Sequence, residues 1–155
     1  MALVTPVFLD TTVLLEGLID IGPASEKARS IIDAIAEGRI RDGRTAWHCC
    51  LEFYAVSTRL PEEYRLAPED AERVIAEVIL EHLEVHDLPG KARGRFLSAA
   101  GRDRVIGGRI YDAHIAETAR LCGARTVITG NLRHFKGLSG HGIRILTTGD
   151  VDLGP

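Results

Sequence analysis

Three acidic residues of this chain stand where acids are costly. In VFLDTTVLLEG, residues 7–17, Asp10 ends an apolar run that reads as a buried strand. An ionised carboxylate in a dry place is unfavourable unless something pairs with it. In CCLEFYAV, Glu52 falls three residues after Cys49 and three and four before Ala55 and Val56, a helical spacing that puts it on the apolar stripe. In IYDAHIAETARLC, Asp112 falls three and four before Ile115 and Ala116, and that stripe runs on to Ala119 and Cys122. Each acid alone has an ordinary reading: Asp10 can cap a helix, and Glu52 or Asp112 can lie against an arginine. Three inward carboxylates together repel one another unless a cation sits between them. Hard oxygen ligands with few thiolates or imidazoles suit Mg²⁺ or Mn²⁺, which keep several waters and bind phosphate oxygens. Such a site acidifies water and stabilises the charge that grows on a phosphodiester. The chemistry implied is metal-assisted phosphodiester cleavage.

The elements that must position these acids follow from spacing. Residues 3–9 read as the first strand, with Pro6 tolerated near its edge. Residues 11–18 begin a helix, which places Asp10 at the carboxyl end of a strand, where open α/β sheets put their sites. Residues 23–38 form an amphipathic helix: Pro23 sits early, Ala28, Ile31, Ile32 and Ile35 make its stripe, and Gly38 ends it. A short strand at 44–47 leads into a helix at 48–60. Residues 68–82 make a long helix, acidic outside and carrying Val74, Ile75, Val78 and Ile79 inside. A strand at 83–88 and a basic helix at 93–102 follow, and Gly107-Gly108 breaks the latter. Residues 110–122 are helical and closed by Gly123, and 125–129 and 143–147 are the last strands. Strands alternating with helices define an α/β class with a mainly parallel sheet. No repeat or linker divides the 155 residues, so a single domain over 1–155 is expected.

Composition narrows the class. With 45% hydrophobic and 26% charged residues the chain reads as a soluble globular protein. No apolar run approaches the roughly 20 residues of a membrane span. MALVTPVFLD lacks the basic region and small-residue cleavage site of a secretory signal, so a cytoplasmic location and no membrane partner are expected. Cys49, Cys50 and Cys122 form no Cys-x-x-Cys pair and read as reduced, mostly buried small hydrophobes. The net charge of −3 is unevenly spread. Lys91, Arg93, Arg95, Arg102, Arg104 and Arg109 face only Asp103 between positions 91 and 109, while nine acids between 62 and 87 face Arg65 and Arg73. A basic arm beside an acidic helix suits a protein that holds an anionic polymer on one face, and it equally describes two solvated helix faces. Trp47, Phe53, Tyr54 and Phe96 read as core or dimer contacts rather than base-stacking platforms.

Asp10-Thr11-Thr12 after a strand, Glu52 in a helix after Trp47, IYDAHIAETA around Asp112 and VITGNLRHF at 127–135 together resemble the motifs of PIN domains. The similarity is to the VapC-type toxins of toxin–antitoxin pairs, in order and over nearly the whole chain. The resemblance implies a three-layer α/β/α fold and a Mg²⁺- or Mn²⁺-dependent ribonuclease, homodimeric and neutralised by a cognate antitoxin. Asp10, Glu52 and Asp112 match the family's three acidic positions, which hold the metal and carry catalysis. Thr12 and Thr129 match residues that orient the site. Asn131 stands where many PIN domains carry a fourth acid, so a second tightly held ion lacks a charged ligand. His134 stands where that motif often has Asp, and reads either as a surface histidine or as a handler of phosphate or protons. Arg109 and Arg133 flank the site and can clamp phosphate or form salt bridges, and Arg102 and Arg104 lie on the proposed RNA-facing arm. The competing reading is a PIN-fold module that binds RNA or a partner without cutting, against which the intact acidic trio argues.

Overall fold

The computed structural model of the protein describes residues 3–154. Strand β1 (Val7–Leu9) is fully buried on both faces, as a strand covered on each side by helices must be. It is the centre of a five-stranded parallel sheet ordered β3-β2-β1-β4-β5, formed with β2 (Gly43–Ala46), β3 (Glu84–His86), β4 (Thr126–Ile128) and β5 (Arg144–Leu146). Phe8 lies in register with Arg44 on one side and Val127 on the other. The mainly parallel sheet read from sequence is therefore parallel at every described pairing.

The helices are α1 (Thr11–Leu18), α2 (Ala24–Ala36), α3 (Trp47–Ser57), α4 (Pro68–Val74), α5 (Leu80–His82), α6 (Arg93–Arg102), α7 (Arg109–Leu121) and α8 (Leu132–Phe135). A π-helical segment (Ile75–Ile79) joins α4 to α5 with helical backbone angles throughout, so the long helix at 68–82 is present with one widened turn inside it. Helix α1 crosses α2 closely, because a Cβ on Gly17 would meet the Ala28 backbone at 3.0 Å and Ile32 Cδ1 at 2.5 Å. The α2 stripe of Ala28, Ile31, Ile32 and Ile35 is buried as its spacing requires. Helix α7 lies on β2 and meets α6 and α8, and Arg44 of β2 donates to the Cys122 carbonyl at its end.

One expectation needs correction. The first strand is shorter than residues 3–9, since pairing begins at Val7 after the Thr5-Pro6 bond. Of the aromatics expected as core or dimer contacts, Phe53 is fully buried, while Trp47 and Tyr54 are 43% and 40% exposed. The helical segment at 132–135 and the 3₁₀ turn after it (Lys136–His141) were not legible, being too short to show a period. Among the described residues, no helix is long and apolar enough to cross a membrane.

Candidate active site

The sheet order reverses between β1 and β4: the chain builds β2 and β3 on one side of β1, then returns to lay β4 on the other. The crevice at the carboxyl ends of such neighbouring strands is where open α/β sheets bind ligands. Asp10 follows β1 and Thr129 follows β4, so both stand at that point. Asp10 occupies the N-cap position of α1, yet its side chain makes no capping bond; its carbonyl accepts the Val13 and Leu14 amides instead. The Thr11 amide, first in the helix, favours the ionised carboxylate, but no capping bond of the usual kind holds it.

The carboxylate has another set of partners. Thr129 Oγ1 donates to Asp10 Oδ2 at 2.7 Å, and Thr12 Oγ1 approaches the same oxygen at 3.3 Å. Each hydroxyl is itself fixed by an amide, Gly130 N–H to Thr12 Oγ1 and Asn131 N–H to Thr129 Oγ1, both at 2.8 Å. The loop after β4 and the start of α1 thus hold the acid in one orientation. Asp10 is only 5% exposed. Burial holds its carboxyl above the ordinary carboxylate range and the charge of Glu52 adds to this, against the Thr129 hydroxyl, which favours ionisation. Among the described residues, no Lys, Arg or His is hydrogen-bonded or ion-paired to it. Burial also pushes the neighbouring Cys49 thiol up to about 12, with the Asp10 charge adding to the shift, which leaves Cys49 a packing residue.

Glu52 and Asp112 depart from the inward placement expected of them. Their side chains are 36% and 35% exposed. On α3 the buried face is Cys49, Cys50, Phe53 and Ser57, and Ala55 is exposed, so Glu52 rides the edge of the stripe. Asp112 has the same edge position relative to Ile115 and Ala119 on α7. An edge position lets each carboxylate keep part of its water, and only Asp10 is deeply enclosed. The charge of Glu52 acts on Asp10. Asp112 is instead met by His134 Nδ1 at 3.5 Å.

Among the other residues singled out, Asn131 takes part through its backbone, and with Arg133, His134 and Thr147 it lines a hollow beside the loop. Arg109 opens α7 one turn before Asp112 and is exposed. Arg102 lies in a groove with Arg95 and Arg120, and Arg104 takes a left-handed turn (φ 56°) in the α6–α7 connection. None of these four arginines touches the acids among the described contacts. Sequence reading missed a histidine pair. His48 Nε2 is 3.9 Å from Glu52 Oε2, and His48 Nδ1 is 3.3 Å from His114 Nδ1. Burial lowers the His114 pKa, and the charges of His48 and Arg93 lower it further. The i,i+4 relation of His48 to Glu52 was available in the sequence; the pairing with His114 was not.

Among the described residues, no three His, Cys, Asp or Glu side chains are gathered tightly enough to enclose an ion. The donor set nonetheless fits a hard cation: a buried carboxylate with a second acid beside it, all oxygen, matches an ion that uses one or two carboxylates and keeps its remaining waters.

The PIN domain family model matches residues 6–133. The chain belongs to the PIN domain family. A 79-residue stretch is 34% identical to Ribonuclease VapC27 of Mycobacterium tuberculosis, covering 51% of this chain and 56% of that protein, so the match spans about half of that relative. The PIN fold is shared with FitAB bound to IR36 DNA fragment (TM-score 0.62, 16% identity, 94% of this chain and 97% of that one). It is shared also with VapBC-1 from nontypeable Haemophilus influenzae (TM-score 0.59, 19% identity, 93% and 98%). FitAcB from Neisseria gonorrhoeae matches comparably, at a TM-score of 0.60 and 17% identity over 94% of this chain and 99% of that one. The three-layer α/β/α architecture expected of a PIN domain is the one found here.

Proposed function

We propose that this PIN domain, over residues 1–155, is a Mg²⁺- or Mn²⁺-dependent endoribonuclease of the VapC type, the cytoplasmic toxin of a toxin–antitoxin pair. The observation that carries the reading is Asp10: a buried carboxylate at the sheet's switch point, held by two hydroxyls, beside Glu52 and with no Lys, Arg or His paired to it among the described residues. Membership of the PIN family and the stretch shared with a VapC ribonuclease support the activity. The fold's likeness to FitAB and VapBC-1 supports a cognate antitoxin as partner.

In this reading Asp10 and Asp112 hold the ion, with Glu52 acting directly or through a water. The ion, when bound, supplies positive charge against the phosphodiester oxygens and an acidified water. Thr12, Thr129 and the Asn131 amide hold Asp10 in place. Asn131 brings no charge, which favours one tightly held ion over two. Arg102, Arg104, Arg109 and Arg133 are exposed and placed to follow an RNA backbone, Arg102 lying 3.8 Å from the exposed Asp103 Oδ1, and His134 orients Asp112 at the rim. A homodimer is supported by the apolar face of α3 and the helical stretch after Pro68, where Trp47, Leu51, Tyr54 and Leu80 line a hollow while 40% or more exposed.

The test is cleavage of an RNA pool by purified protein with Mg²⁺ or Mn²⁺, with and without chelator, for wild type and Asp112→Asn. Metal-dependent cutting lost in the variant, with growth arrest by wild type alone, is expected. No cutting of any RNA, and equal toxicity of the variant, would leave the binding-module reading in its place.

A further inference from the structure

The histidine pair beside Glu52 takes no part in the proposed nuclease chemistry. His48 on α3 and His114 on α7 come together because both helices lie on β2. Their Nδ1 atoms are 3.3 Å apart and their ring centroids 5.2 Å, with the planes at 86°. Two arrangements fit the first distance. One ring can donate N–H to the other, at the long end of the hydrogen-bond range. Two nitrogens that bind one tetrahedral ion at about 2.0–2.1 Å also stand roughly 3.3–3.4 Å from each other. The centroid distance favours the second. A collinear N–H···N bond puts the centroids about 5.6 Å apart, the ring radii being added to the contact. Ring axes that converge on an ion put them about 5.2 Å apart, the separation found.

The surroundings agree. The outer nitrogen of each ring faces a carboxylate: His48 Nε2 is 3.9 Å from Glu52 Oε2, and His114 Nε2 is 4.0 Å from Asp87 Oδ1. In a neutral N–H···N pair the donor ring has a bare Nε2, which then meets its carboxylate lone pair to lone pair. With both Nδ1 atoms on an ion, both Nε2 atoms carry hydrogens and both face acids, the usual support of a metal-binding histidine. Tyr111 lies 5.5 Å from His48 and Phe96 5.8 Å from His114, ring to ring, so aromatic walls flank the two imidazoles. Their side chains are 21% and 27% exposed, which leaves the pair reachable. Arg93 opposes a cation here, since its charge acts on His114.

We propose that His48 and His114 form a second cation site, for Zn²⁺ or a similar imidazole-seeking ion, bound through both Nδ1 atoms. Imidazole suits Zn²⁺, Cu²⁺ and Ni²⁺, whereas Mg²⁺ and Mn²⁺ take oxygen ligands. The site is therefore chemically separate from the acids although it adjoins Glu52. No third His, Cys, Asp or Glu is gathered with the pair among the described residues. Water completes the coordination, and the ion exchanges, unlike one in a closed four-ligand site. The site does not depend on the ribonuclease reading.

The test is a Zn²⁺ titration of the untagged protein in excess Mg²⁺, followed by the imidazole nitrogen resonances of its six histidines. Saturable movement of the His48 and His114 Nδ1 signals is expected, with one ion per chain by calorimetry. Asp87→Asn keeps an acceptor for the Leu88 amide, and should weaken binding about tenfold, the lower end of the loss when a ligand's outer partner is removed. His114→Gln should weaken it further still, while His141→Gln, on an exposed turn, should leave it unchanged. Zn²⁺ that first moves the signals of His82, His86, His134 or His141 would overturn the proposal. So would an affinity unchanged in Asp87→Asn or His114→Gln, Nδ1 signals that stay still at millimolar Zn²⁺, or equal movement with Mg²⁺ alone. The wild-type titration decides the matter without any variant.

Discussion

Replacing Asp10 by Asn should make the metal-free protein more stable at neutral pH while removing its response to Mn²⁺. Asn keeps an oxygen for the Thr129 and Thr12 hydroxyls, so the loop and α1 stay tied together. What it removes is a charge that is 5% exposed, stands beside Glu52 and has no Lys, Arg or His paired to it among the described residues. An under-compensated buried polar group costs about 1–3 kcal/mol, and more if charged, so a gain of about 2 kcal/mol is expected. For a chain of this length that is a rise in Tm of about 4–8 °C. The pH dependence has a defined sign. The folded-state pKa of Asp10 lies above its ordinary 3.8, so between those two values the folded protein holds a proton that the unfolded chain has lost. Stability therefore falls as pH rises through that window. The variant's advantage should be complete above the window and vanish below 3.8, where the carboxyl is protonated in both states. Mn²⁺ at a hundred times its Kd should stabilise the wild type by about 2.7 kcal/mol and leave the variant nearly unmoved. Scanning calorimetry from pH 3 to 8, with and without Mn²⁺, reads all of these. A variant less stable than wild type at pH 7 without metal, or one that Mn²⁺ stabilises equally, would refute the argument.

Three further outcomes follow. Thr129→Val leaves Asp10 Oδ2 and the Asn131 amide each short of a partner, and should cost about 1.5–3 kcal/mol in urea unfolding, as for hydrogen bonds to charged groups. Gly17→Ala puts a methyl carbon 3.0 Å from the Ala28 backbone, which cannot withdraw as a side-chain tip can, and should destabilise by about 1–3 kcal/mol through overpacking in thermal unfolding. Neutralising Arg102 and Arg104 together, in an Asp112→Asn background, should lower the salt-dependence slope of single-stranded RNA binding by about 1.4, at roughly 0.7 per phosphate contact; fluorescence anisotropy at several salt concentrations measures it.

The sequence by itself determined the alternation of strands and helices, the buried stripe of α2 and the place of Asp10 at a strand end, because each is a local period or boundary that a few consecutive residues encode. It also marked Glu52 and Asp112, through their spacing from apolar neighbours. Whether those two acids turn fully inward was beyond it. Their helices present a stripe whose edges are defined by what packs alongside, and both acids proved to ride an edge at about a third exposed. The hydroxyl that fixes Asp10 comes from Thr129, 119 positions away, and the pairing of His48 with His114 spans 66. No local pattern carries such information; it arises when the parallel sheet sets β1 beside β4 and α7 lies on β2.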